Sequence, residues 1–298
     1  MYNPDKNTIF AKYSDNMRKY ITIYIATLMA AAGLSSCGQY NKIMKSNDSD
    51  IQYEAAKTYY GRGRYSKAAN LLEGLIMVMK GTDKAEESIY LLAMTYYNQG
   101  DYVTASRYFN TCYTTYPRGE YTEEARFHSG KALCLDTPEP KLDQSSTYAA
   151  IQELQLFLEY FPQSRHKTEA QDMIYQLQDK LVEKEYLSAK LYYDLGTYTG
   201  NASYTTTGNN YQACVVTARN ALRDYPYCKR REDLTMLVLK ARYDMARQSV
   251  IEKKPARMRE ALDEYYAFIN EYPDSKYRRE ADKIYRETSK YVDSLKED

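Results

Sequence analysis

The sequence predicts an all-α protein, an α-solenoid of about five helix-turn-helix repeats with a capping helix at the C-terminal end. Three observations carry that prediction. An aromatic-proline pair recurs four times, as Tyr116-Pro117, Phe161-Pro162, Tyr225-Pro226 and Tyr272-Pro273. At twelve, eight and five residues before each proline stand small or apolar side chains: Ala105, Phe109 and Cys112; Ala150, Leu154 and Phe157; Cys214, Ala218 and Ala221; Ala261, Tyr265 and Phe268. No alternating strand pattern competes with this periodicity.

Such a register before a helix-breaking proline is the second-helix half of a tetratricopeptide (TPR) unit, a hairpin of roughly 34 residues. The first repeat, about 50–80, opens where Asp48, Ser49 and Asp50 offer capping oxygens. Its first helix carries Ala56 and Tyr59, its turn is Gly61-Arg62-Gly63-Arg64, and its second helix carries Tyr65, Ala68, Leu72 and Leu75. The second repeat, 85–117, restates these 37 residues later as Ala93, Tyr96, Gly100, Tyr102, Ala105, Phe109 and Cys112. The third, 120–162, is interrupted by a loop at Asp136-Thr137-Pro138-Glu139-Pro140. The fourth, 164–226, begins with a long helix to about Leu195 and continues through a Thr-, Asn- and Gly-rich loop, Thr197 to Asn210, into a second helix. The fifth, 229–273, precedes a last helix over 275–295 that caps the array.

The amino terminus reads as an address. Residues 1–36 contain the cationic Met17-Arg18-Lys19 followed by fifteen apolar-rich residues, Tyr20 to Leu34, fewer than the 20 or so a membrane-spanning helix requires. Leu34-Ser35-Ser36-Cys37 resembles a bacterial lipoprotein box, which makes Cys37 the expected lipidated residue and 37–49 a polar, flexible tether. Met17 is then the expected initiator, with 1–16 an over-long start. By resemblance to lipoprotein sorting in double-membraned bacteria, Gly38 in place of an acidic residue after the cysteine favours the outer membrane.

Composition excludes several classes. Net charge is +1, and without the first 36 residues about 37 basic side chains face 38 acidic ones, a poor footprint for nucleic acid. The 35 tyrosines against 6 phenylalanines and no tryptophan suit half-buried helix faces with polar tips. Five cysteines in a chain this long are no disulfide framework; Cys112, Cys134 and Cys214 read as small packing residues, and a Cys214 to Cys228 bridge has no support. His128 and His166 stand apart in the sequence without a metal or triad pattern, Gly61-Arg62-Gly63 lacks the elements of a phosphate loop, and neither a cofactor nor an enzyme is expected.

Two candidate surfaces follow. First-helix positions three before, one after and four after the small residue should line a peptide groove: Tyr53, Lys57 and Tyr60; Tyr90, Met94 and Tyr97; Phe127, Lys131 and Cys134. Aromatic faces with cationic edges suit an extended peptide bearing aromatic side chains and a carboxylate terminus. From Thr217 to Arg259 twelve Lys or Arg outnumber five Asp or Glu, and Arg223, Lys229, Arg230 and Arg231 are the expected centre of an acidic partner's docking patch.

Lipobox, tether, repeats and aromatic-proline endings in this order resemble the BamD family of outer-membrane protein assembly lipoproteins, as do Glu159-Tyr160-Phe161-Pro162-Gln163-Ser164, Lys184-Glu185-Tyr186 and Arg223-Asp224-Tyr225-Pro226. The resemblance implies a non-enzymatic scaffold, lipid-anchored on the periplasmic side of the outer membrane. It would bind the periplasmic repeats of a BamA-like barrel insertase through its C-terminal repeats and unfolded outer-membrane protein precursors through its N-terminal ones, with other assembly lipoproteins as further partners. The loop from Thr197 and the pair Tyr227-Cys228 depart from the family pattern. A periplasmic TPR adaptor for cell-envelope or division proteins and a nutrient-binding lipoprotein are the alternatives.

Overall fold

The computed structural model describes residues 39–196 and 210–295, so the signal segment, Cys37 and the loop over 197–209 lie outside the described residues. All regular structure described is helical, and the helices group into two compact units, Met1–Ala125 and Arg126–Asp298. The twelve side chains counted back from the prolines are all buried, none more than 7% exposed. That agreement has a physical cause. Each aromatic donates its backbone N–H to the carbonyl four residues earlier, Tyr116 to Cys112, Phe161 to Phe157, Tyr225 to Ala221 and Tyr272 to Phe268, and the following proline can make no such bond. The proline also forces the aromatic out of helical geometry: φ/ψ are −122/68 at Tyr116, −127/63 at Phe161 and −130/70 at Tyr272. The helix therefore ends in a fixed register relative to its apolar stripe.

The first unit contains α1 (Ser49–Gly61), α2 (Tyr65–Val78), α3 (Ala85–Gln99) and α4 (Tyr102–Thr115), each packed on the next. Asp48 caps α1 by accepting from the Asp50 and Ile51 amides at 2.9 and 3.1 Å. Asp101 caps α4 through the Thr104 amide, and Gly100, with φ of 80°, makes the left-handed turn between α3 and α4. Ala56, Ala68, Ala93 and Ala105 are fully buried, which lets paired helices approach closely while Tyr59, Leu71, Leu72 and Leu92 fill the space beside them. Each of those leucines contributes about 1.5–3 kcal/mol by leaving water. The stretch read as a flexible tether departs from that expectation. Residues 39–44 are helical, Tyr40 and Ile43 pack against the same core, and Gln52 Nε2 donates to the carbonyls of Ile43, Met44 and Ser46.

The division between units falls inside α5 (Thr122–Leu135). The second unit continues with α6 (Ser145–Tyr160), α7 (Lys167–Leu195), α8 (Asn210–Asp224), α9 (Arg231–Arg247), α10 (Lys254–Glu271) and α11 (Arg278–Ser294). Gly130 occupies the small-residue slot of the third repeat, because a Cβ there would lie 2.7 Å from Leu154 Cδ2. Phe127, Leu154, Phe157, Met173 and Leu177 form one core, Val182, Tyr211, Val215, Leu234 and Val238 a second, and Met236, Leu239, Phe268 and Ile284 a third. In α11, Ala281, Ile284, Thr288 and Val292 make one buried stripe on an otherwise polar helix, as an array's closing element requires. Cys112 and Cys214 are buried free thiols whose pKa burial pushes up to about 12; Cys134 and Cys228 are also unbridged. The described residues are thus hairpins of TPR type.

Candidate functional site

In the first unit, α1 and α3 lie side by side in a register of 34 residues. Lys84 pairs with Asp50 at 2.9 Å, and the Tyr53 hydroxyl donates to Glu87, which also holds Lys57 at 2.8 Å. Burial alone would raise the Glu87 carboxyl, but hydrogen bonds from Lys57 and Tyr53 outweigh it and leave its pKa lowered. The same offset recurs one helix further, where Glu86 accepts from the Glu120 and Tyr121 amides.

This register sorts the predicted groove residues. Tyr53 is only 1% exposed, its ring held against Leu75 and Met79, so it braces the wall instead of facing a ligand. Position three before the small residue points toward the neighbouring helix, and Tyr90 follows suit, stacking on Tyr121 at 4.8 Å and tilting on Phe109 at 5.8 Å. Positions one and four after remain accessible. Tyr60 stands edge-on to Tyr65 at 5.7 Å and accepts from Asn98 Nδ2 at 3.1 Å. Tyr97 repeats the geometry with Tyr102 at 5.5 Å, and Met94, like both tyrosines, is half-buried. Of the groove residues expected in this unit, Lys57, Tyr60, Met94 and Tyr97 therefore remain accessible, and the one cation among them is already matched to a carboxylate.

Within the second unit, Phe127 is 1% exposed between Phe157 and the His166 ring, which stacks on it at 4.1 Å and 11°. Lys131 is bound to Glu169 at 2.7 Å. His128 and His166, 38 residues apart in sequence, come to 6.4 Å between ring centroids, yet no group of three or more metal-binding side chains forms among the described residues.

The basic patch also divides. Arg230 is gripped by Glu183 at 2.7 and 3.0 Å and by Asp233 at 2.8 Å, while Arg231 binds Glu271 at 2.6 Å and the Pro226 carbonyl at 3.1 Å. Arg230 thus ties α9 to α7 and Arg231 ties it to α10, each with its guanidinium committed to partners inside the unit. Arg223 and Lys229 are paired with Asp224 and Asp179, but their side chains stay 71% and 81% exposed. A partner can reach these two.

One surface was missed in the sequence. Along α7, α9 and α11, Tyr193 donates to Asp244 at 2.7 Å, Tyr243 to Glu287 and Tyr277 to Asp233 at 2.7 Å, and Lys240 pairs with Glu280 at 2.7 Å. Two clefts of 170 and 140 Å³ adjoin here, both lined by Tyr193, Lys240 and Glu280. The positional rule that selected Tyr60 and Tyr97 selects this face too. From the fully buried Ala189 it gives Tyr186, Lys190 and Tyr193.

Among the described residues no helix is long and apolar enough to cross a membrane. The chain belongs to the YfiO family of outer membrane lipoproteins, whose model matches residues 45–207. Among curated proteins it is similar to the Aquifex aeolicus (strain VF5) protein named "Putative outer membrane protein assembly factor BamD", 23% identical over 189 residues, which are 63% of this chain and 61% of that protein. The chain thus spans about three fifths of the length of that relative. Solved structures similar to it include the "TPR2AB-domain:pHSP90-complex of yeast Sti1" (15% identity, TM-score 0.37, 81% of this chain and 98% of that one). The P58(IPK) TPR domain is another (13% identity, TM-score 0.26, 98% and 71%).

Proposed function

We propose that this protein is a non-enzymatic scaffold of the β-barrel assembly machinery, held by a lipid on Cys37 at the periplasmic side of the outer membrane. It binds the periplasmic repeats of a BamA-like insertase and presents unfolded barrel precursors to it. Family membership and the name of the Aquifex relative support the assignment to this machinery. The observation that carries the binding role is the repeated tyrosine geometry of the first unit. Tyr60 and Tyr97 each stand edge-on to the aromatic opening the next helix, at 5.7 and 5.5 Å, and remain half-exposed. Rigid, partly exposed phenols at a repeat spacing fit the alternate aromatic side chains of an extended chain end. Insertase docking falls to Arg223 and Lys229, whose pairing is exposed to solvent and exchangeable.

Replacing Tyr60 and Tyr97 together by alanine should weaken binding of barrel C-terminal peptides by about tenfold or more, as loss of two aromatic anchors does, with helicity unchanged. Peptide affinity equal to that of the parent, measured by fluorescence anisotropy, would reject the groove.

A further inference from the structure

Of the twelve Lys and Arg side chains between Thr217 and Arg259, eight have a carboxylate partner: Arg219, Arg223, Lys229, Arg230, Arg231, Lys240, Arg242 and Arg247. The other four, Lys253, Lys254, Arg257 and Arg259, have none among the described residues, and they gather at the turn between α9 and α10 and at the start of α10. The same turn carries the most exposed large aliphatic side chain described, Ile251 at 84%, beside Val250 at 60%. Its backbone is closed on itself. The Val250 carbonyl accepts from the Lys253 and Lys254 amides at 3.1 and 3.0 Å, and Arg257 Nη1 donates to Ser249 Oγ at 2.7 Å. Two exposed aliphatic side chains are therefore held at a turn flanked by four cations without a carboxylate partner among the described residues, Lys254 lying over the Tyr291 ring at 5.3 Å, and Glu252 is the one acid in the sequence 250–259.

Water is a poor environment for the first feature, and an acid-lined protein groove would answer the second but not the first. An anionic phospholipid surface answers both, because acyl chains accept the aliphatic tip while headgroup phosphates face the cations. A lipoprotein of the outer membrane works beside such a surface throughout its life. We propose that the α9–α10 turn is a membrane-contact site that seats Val250 and Ile251 in an anionic phospholipid leaflet, with Lys253, Lys254, Arg257 and Arg259 on its phosphates.

The absence of tryptophan makes the test direct, since an Ile251→Trp variant reports from that position alone. The full-length protein is mixed with protein-free vesicles of phosphatidylcholine, with or without phosphatidylglycerol, and the floated fraction is read. The expected result is a blue-shifted emission, quenched by brominated acyl chains at least about threefold more strongly with phosphatidylglycerol present than without it. Adding Lys253→Gln and Lys254→Gln should reduce that quenching at least about twofold. Tyr227→Trp, at another exposed turn, is the control and should stay unquenched. Val250→Trp gives the same reading should the first variant misfold. Protein that does not float, or emission matching the control, overturns the proposal.

Discussion

At the scale of single residues, tyrosine does here what phenylalanine cannot. A buried ring supplies apolar area, and its hydroxyl must then find an acceptor. The acceptors are carboxylates of neighbouring helices: Glu87 for Tyr53, Asp244 for Tyr193, Asp233 for Tyr277 and Asp282 for Tyr265. Burial and the adjacent negative charge both raise these phenols, so they remain neutral donors at physiological pH. Asp233 is the most heavily engaged acceptor, taking Tyr277 at 2.7 Å, Lys276 at 2.6 Å and Arg230 at 2.8 Å. Burial would raise its carboxyl, but those three bonds prevail and bring its pKa down from 3.8 to about 2. Because the folded value lies below the unfolded one, the stabilisation is full above pH 4 and fades as the pH falls toward 2. It amounts to about 2 kcal/mol at neutral pH and roughly half that at pH 3. Asp233→Asn should therefore lower unfolding free energy by about 2 kcal/mol at pH 7 and by clearly less at pH 3. Urea titrations at the two pH values decide it, and an equal loss at both would show that the charge is irrelevant.

At the scale of elements, what the sequence disclosed and what it hid have separate causes. Helix ends were legible because proline geometry and capping oxygens act locally, through the chain itself. The slots five, eight and twelve residues before each proline were legible for the same reason. Capping gives a direct check. Asp48→Ala removes the acceptor for two α1 amides and should destabilise the first unit by about 1 kcal/mol, with faster hydrogen exchange confined to the first turn of α1. Protection there equal to the parent's would mean that docking of 39–44 alone holds that end. The groove was only partly legible. By its register, position three before the small residue should line the groove, yet Tyr53 and Phe127 are buried against neighbouring elements whose proximity no local pattern reveals. Asp233 lies three residues from Arg230, but the other carboxylates that hold Arg230 and Arg231, Glu183 and Glu271, lie 47 and 40 residues away in sequence, outside the segment over which the charge is counted. The tyrosine face of α7, α9 and α11 escaped notice because loops of unequal length shift its register from one repeat to the next.

At the scale of the whole molecule, family membership places the protein at the outer membrane, and the proposed anchor and the balanced charge bear on how it is held there. Without the first 36 residues the chain is close to neutral, so its net charge gives it little long-range pull toward a membrane or nucleic acid, and the cations of the α9–α10 turn act only at contact. In the function proposed above, stable anchorage rests on a lipid at Cys37. A Cys37→Ser variant should move from the membrane pellet to the soluble fraction on cell fractionation, since the acyl chains supply about 0.8 kcal/mol per buried methylene. Continued sedimentation with membranes would show that another contact suffices. The pairing between helices has a last consequence, for ancestry. Arg230 is fitted to Glu183 on one side, Asp233 to Lys276 and Tyr277 on the other, and Glu232 to Ser275. Modules so individually keyed cannot be reshuffled as uniform repeats can. A recombination that duplicated or deleted one hairpin would set unmatched acids and bases edge to edge, so descendants of this gene should change by substitution within a fixed order of hairpins rather than by gain or loss of them.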